Sequence, residues 1–181
     1  MGRDYPEINP KIADWIRRQK MFFVSTAPLS AAGMVNCSPK GMDTFRILGP
    51  TTIGYLDLTG SGVETIAHLK ENGRIVIMMC AFEGPPRIHR FHGRGRALIK
   101  GTPEYQEIIG HFDELPGTRS IIRIEIDRIS DSCGYAVPLY DYKGDRDGLT
   151  RWAENKGAGG IADYQRENNA VSVDGLPALG A

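Results

Sequence analysis

A long alternation of apolar and polar positions runs through residues 87–100. His89, Phe91, Gly93, Gly95, Ala97 and Ile99 share one face, and Arg90, His92, Arg94 and Arg96 share the other. Strand side chains alternate between faces, so this pattern predicts a β-strand with one covered side. The two glycines on that side predict a bulge or the close approach of another group. Residues 119–129 alternate in the same way, with Ser120, Ile122, Ile124 and Ile126 inward and Arg123, Glu125 and Asp127 outward. Residues 74–81 (RIVIMMCA) are almost wholly apolar, the mark of a strand buried on both faces. Shorter strand-forming runs lie at 21–26, 35–39, 44–48 and 52–58, separated by turns at 28–33, Lys40-Gly41 and Gly49-Pro50. Strands succeed one another with one inserted helix, which belongs to a barrel of about seven strands and not to alternating β-α units.

Helical spacing appears in fewer places. Asn9-Pro10 is a good N-cap and first-turn pair for a helix over 10–19 with Ile12, Trp15 and Ile16 on its buried stripe. A second helix follows residue 62, with Val63, Ile66, Ala67 and Leu69 on or near one face, and Thr102-Pro103 opens a third through Phe112. Residues 149–155 carry Trp152 in a short helical pattern, 157–160 break it, and 161–169 read as a surface helix before a weakly ordered tail. The chain thus divides into a domain over 1–156 and a C-terminal helix and tail over 157–181.

The turn entering the second helix bears on chemistry. Thr59, Gly60, Ser61 and Gly62 offer hydroxyls and unhindered backbone at a helix start, where free N–H groups and the positive end of the helix dipole favour a phosphate. The same residues fit a capping box, Ser61 accepting from the Glu64 amide while Glu64 reaches back. Both readings stay open on the residues alone.

Composition narrows the function classes. The 181 residues carry 22 basic and 22 acidic side chains, so no basic footprint supports general nucleic-acid binding. No apolar run approaches the roughly 20 residues that span a bilayer, and the first residues lack an apolar leader. Cys37, Cys80 and Cys133 are widely spaced with no CxxC pair, which predicts reduced thiols in a cytoplasmic protein and no metal site.

Taken in order, VNCSPKG (35–41), YLDLTGSGVETIAHLKENGRIVIM (55–78), RIHRFHGRGRAL (87–98) and SCGYAVP (132–138) resemble the pyridoxamine 5′-phosphate oxidase-like, FMN-binding split-barrel family. The resemblance covers roughly residues 15 to 156. It implies a mainly β (α+β) split β-barrel of about six to seven antiparallel strands with inserted and flanking helices. It also implies a homodimer holding FMN in grooves between subunits. Lys40 would take the phosphate, with Thr59, Gly60, Ser61 and Gly62 supplying hydroxyl and backbone donors. Asn36, Cys37 and Ser38 would run along the flavin ring, and Arg87 and Arg94 are candidates for the ring carbonyls or the phosphate.

The sequence departs from the oxidases that make pyridoxal phosphate. Val63-Glu64-Thr65 replaces a basic pair at the helix start, and LYDYKGDRDGLTRWAENKG stands where their arginine- and histidine-bearing substrate segment would be. The expectation is therefore an FMN-dependent oxidoreductase of other substrate, working with a small-molecule electron donor or acceptor. The alternative is a non-catalytic module for flavin, deazaflavin or haem. No catalytic acid or base stands out. Each of His68, His89, His92 and His111 also has a structural explanation.

Overall fold

The computed structural model describes residues 2–180; the terminal positions of the two expected segments, Met1 and Ala181, lie outside the described residues. In chain order the elements are β1 (Asp4–Tyr5), α1 (Pro10–Arg18), β2 (Phe22–Thr26), β3 (Asn36–Lys40), β4 (Phe45–Gly49) and β5 (Thr52–Leu58). Then come α2 (Glu64–Asn72), β6 (Arg74–Cys80), β7 (Ile88–Ile99), α3 (Pro103–Ile109), β8 (Thr118–Ser132) and α4 (Gly148–Asn168). All pairings are antiparallel in the order β3-β2-β6-β7-β8-β5-β4, with β1 added along β8. This open sheet is a split barrel of α+β class, with β3 and β4 at the two ends of its main strand order.

The sheet buries side chains on both faces. Inside, Val24, Ile53, Tyr55, Ile77, Phe91, Ile122, Ile124 and Ile129 pack with Ile12 and Ile16 of α1 and Ile66 of α2. Outside, Leu56, Leu98 and Ile121 lie beneath Tyr105 and Phe112. Two faces in use explain why five successive residues of β5, Ile53 to Asp57, are all buried. Asn9 caps α1 as its sequence predicts, its Oδ1 accepting from the Ile12 amide at 3.0 Å.

The capping box does not form. Val63 occupies the N-cap of α2 and no side chain caps that end. Ser61 sits two residues too early. The Glu64 carboxylate turns elsewhere, accepting from the Val173 amide at 3.4 Å. Of the cysteines, Cys37 is exposed on β3, whereas Cys80 is buried.

The C-terminal region is also more ordered than its composition suggests. Gly157, at φ 64°, breaks α4 where the glycine-rich stretch predicted a break. Residues 169–180 then fold back, with Ala178 fully buried and Leu176 and Leu179 packed against the interior core. Val171 bridges Pro177, and Lys70 donates to the Ala178 carbonyl.

The two glycines of β7 have different structural reasons. Gly93 adjoins the bulge in the β7–β8 ladder, and a Cβ there would lie 2.1 Å from the Glu125 carbonyl oxygen. At Gly95 the three atoms nearest to a Cβ would be side-chain carbons of Leu69 and Ile75, the first at 3.1 Å. Backbone cannot yield as side chains do. Gly93→Ala should therefore lose about 3 kcal/mol, the upper end of the overpacking range, and Gly95→Ala about 1 kcal/mol. Denaturant unfolding of the two variants checks this, and equal losses would contradict it.

Candidate functional site

The end of β5 carries a charge into the barrel interior. Ile53, Tyr55 and Asp57 share the inward face by strand alternation, and Asp57 is buried. Its partner arrives by a bulge. Asp57 pairs with Ser120 and Leu58 with Thr118, leaving Arg119 unpaired in the ladder. A bulge re-aims a side chain, here onto Asp57. Arg119 Nε donates to Asp57 Oδ2 at 2.7 Å, and Ser120 Oγ donates to the same oxygen at 3.2 Å. Arg119 also donates through Nη1 to Asn169 Oδ1 and through Nη2 to the Gly62 carbonyl, each at 2.8 Å.

Above this pair lies a cavity of about 320 Å³. It is bounded by Asn36, Ser38 and Lys40 of β3, by residues 60–65, by Met42 and Thr44 of the corner, and by Leu149 of α4. Alternation on β3 turns Asn36, Ser38 and Lys40 to the cavity and leaves Cys37 outside. Lys40 Nζ stands 3.9 Å from Asp57 Oδ1, farther than the 2.7 Å of the Arg119 bond. Since Arg119 already neutralises Asp57, the Lys40 charge is available to an anion. Glu64 is the opposing feature, its half-buried carboxylate lying so close over Gly62 that a Cβ there would be 2.5 Å from Oε2.

A buried polar chain fixes the β3 side of the cavity. Asn36 Nδ2 donates to Thr26 Oγ1 at 3.2 Å and to Thr65 Oγ1 at 3.1 Å, while Asn36 Oδ1 accepts from Ser38 Oγ at 2.8 Å. Thr26 Oγ1 also shares a hydrogen bond with His68 Nδ1 at 2.9 Å. His68 is fully buried, and desolvation lowers its pKa against the pull of Asp174, Glu64 and Glu71. It is therefore a neutral structural residue. His89 is likewise buried, with its ring 4.6 Å from that of Trp15, and burial pushes its pKa down to about 4. None of the four histidines lines the cavity.

The sequence candidates separate accordingly. Asn36, Ser38, Lys40, Gly60, Ser61 and Gly62 meet around one cavity. Thr59 lies beneath it, buried, with its hydroxyl accepting from Gln165 Nε2 at 2.7 Å. Arg94 caps the other end of α2, donating to the Asn72 carbonyl at 2.9 Å. Arg87 pairs with Asp131 at 2.9 Å beside the N-terminal strand, so neither arginine reaches this cavity within one chain. Asp57 and Arg119 went unnoticed in the sequence. The first was legible as a carboxylate in phase with Ile53 and Tyr55; the second needed the bulge.

The split barrel and this cavity define the class of protein. The family model for pyridoxamine 5′-phosphate oxidase matches residues 8–133, and the chain belongs to that family. It is 37% identical over 194 positions to the pyridoxamine 5′-phosphate oxidase family protein ustO of Aspergillus flavus, covering 97% of this chain and 77% of that protein. Among solved structures, a variant of HupZ from Group A Streptococcus superposes with a TM-score of 0.53 at 23% identity, over 69% of this chain and 99% of that one. The FAD binding protein from Mycobacterium smegmatis gives 0.50 at 12% identity, over 70% and 96% of the two chains. These two superpositions establish the shared fold.

The Asp57–Arg119 pair yields a stability prediction. Asp57→Asn leaves the buried guanidinium without its counter-charge and should lose about 3–5 kcal/mol. Adding Arg119→Met removes the orphaned charge and should recover part of that loss. Thermal or denaturant unfolding of both variants checks it; a double variant no more stable than the single one would contradict it.

Proposed function

We propose that this chain is an FMN-dependent oxidoreductase that binds the flavin phosphate at Lys40 and the turn before α2. The observation that carries the reading is Lys40 itself. It lines one cavity with the uncapped start of α2 and its glycine-rich turn, while Asp57, 3.9 Å from its cation, is held more closely by Arg119. Helix-start amides and a lysine are a fitting donor set for a phosphate dianion. Asn36, Cys37 and Ser38 would run beside the flavin ring along the free edge of the sheet. Bound there, the flavin would supply hydride or electron transfer, and the chain would supply position and electrostatics.

The substrate is proposed to differ from pyridoxamine phosphate, because Val63-Glu64-Thr65 opens α2 in place of a basic pair. A homodimer belongs to the same proposal. Met34 and Val35, just before β3, are 60% and 74% exposed, and Tyr135, Leu139 and Tyr140 add a second exposed apolar stretch. A second copy over these surfaces would close the groove in which the flavin ring lies. Among the described residues no helix is long and apolar enough to cross a membrane. A cytoplasmic setting is proposed from the three unpaired cysteines.

Lys40→Ala should weaken FMN by about ten- to a hundredfold, the worth of one charge-assisted hydrogen bond, and leave riboflavin nearly unchanged. Titration with both flavins checks this; equal loss of both would assign the lysine to folding. The absorption spectrum of the purified protein should show a flavin, and reduction by a nicotinamide donor should separate an enzyme from a carrier.

Light scattering should give a dimer at micromolar concentration, with an interface above about 1,200 Å² in total. A monomer would remove the shared groove from the proposal.

A further inference from the structure

The segment beyond residue 133 lies outside the family match, yet it reaches the base of the cavity. Asn169, directly after α4, is fully buried. Its Oδ1 accepts from Arg119 Nη1 at 2.8 Å, and its Nδ2 donates to the Gly60 carbonyl at 3.0 Å. Arg119 Nη2 donates to the Gly62 carbonyl at 2.8 Å. One amide and one guanidinium therefore hold two carbonyls of the turn, those on either side of Ser61.

Those bonds orient two peptide units. In a planar trans peptide the carbonyl and the following N–H point in opposite directions, and the chain has no cis peptide among the described residues. With the Gly60 and Gly62 carbonyls held by Asn169 and Arg119, the amides of Ser61 and Val63 are turned the other way. Neither amide meets a backbone acceptor among the described residues. Ser61 and Val63 line the cavity together with Lys40.

We propose that Asn169 is a positioning residue for phosphate recognition: through the Gly60 carbonyl and Arg119 it sets the turn so that the Ser61 and Val63 amides converge with Lys40 on a phosphate monoester. This rests on the flavin-phosphate reading above and assigns to the C-terminal segment a part in that site. A purely structural role is distinguishable, because the tail is also anchored without this side chain. Its backbone bonds from the Asn169 amide to the Gln165 carbonyl and from the Leu179 amide to the Asn169 carbonyl, and the burial of Ala178, do not involve the Asn169 side chain.

The test titrates the full-length apoprotein and its Asn169→Ala variant with FMN and with riboflavin, following flavin fluorescence, with melting temperatures measured alongside. Asn169→Ala should lose FMN affinity on the order of tenfold and keep riboflavin affinity. Asn169→Ser, which retains a short donor, should keep more of the preference for FMN and replaces the alanine variant if that one does not fold. Unchanged discrimination between the flavins, or equal loss of both, overturns the role of Asn169. A wild-type protein that binds FMN no more tightly than riboflavin overturns the phosphate reading itself, and this inference with it.

Discussion

A buried charge needs its counter-charge and its remaining hydrogen bonds satisfied, and the structure around Asp57 and Arg119 meets that requirement. Asp57 accepts from Arg119 and Ser120, and Arg119 spends its other donors on Asn169 and Gly62. Four regions meet at this pair: the end of β5, the bulge opening β8, the turn before α2 and the end of α4. None of them makes the cavity alone. The pair ties them into one base, and the ordering of the turn follows from it.

The sheet topology decides what stands above that base. β3 and β4 are consecutive in the chain yet occupy opposite ends of the main strand order. The corner between them crosses the opening with Met42 and Asp43 both in the left-handed region, at φ 62° and 53°. For methionine that conformation is uncommon, and it lies at the rim of the cavity. β3 is thereby left with one paired edge and one free edge. A free edge flanked by Met34 and Val35 invites another chain, which is the usual hazard of exposed strands and the usual route to an assembly. The same topology that opens the barrel thus presents the surface on which the proposed flavin groove depends.

Electrostatics at the site are balanced, with Lys40 and Arg119 set against Asp57 and Glu64. Selectivity for an anion then comes from how the charges are partnered. Asp57 is engaged by Arg119, while Lys40 stands back from it at 3.9 Å. Glu64, once freed of the capping role, turns toward the tail through the Val173 amide. The C-terminal segment bears on the carboxylate of the turn as well as on its carbonyls.

Much was legible in the sequence because it depends on local periodicity and local caps. The alternation of β7, the apolar run of β6, the Asn9 cap of α1 and the break at Gly157 all follow from patterns within a few residues, whereas the meeting of Lys40 with residues 60–62 was implied by the family resemblance alone. The glycines of β7 announced the bulge beside Gly93. What remained hidden depends on contacts between distant segments. A bulge is a mismatch of two strands, so neither strand alone could show that Arg119 turns inward. The Ser61–Glu64 motif has capping spacing, yet the N-cap fell at Val63 while the carbonyls of the turn were held by Asn169 and Arg119. Arg94 had suitable chemistry for a ligand, but its register on β7 set it beside the Asn72 carbonyl instead. The tail over 170–181 shows no strand or helix periodicity, so its sequence reads as weakly ordered; the burial of Leu176, Ala178 and Leu179 depends on a core built by other elements. Local spacing determined the strands, the helices and the phosphate-like turn; tertiary structure decided which polar groups of that turn face each other and which face the cavity.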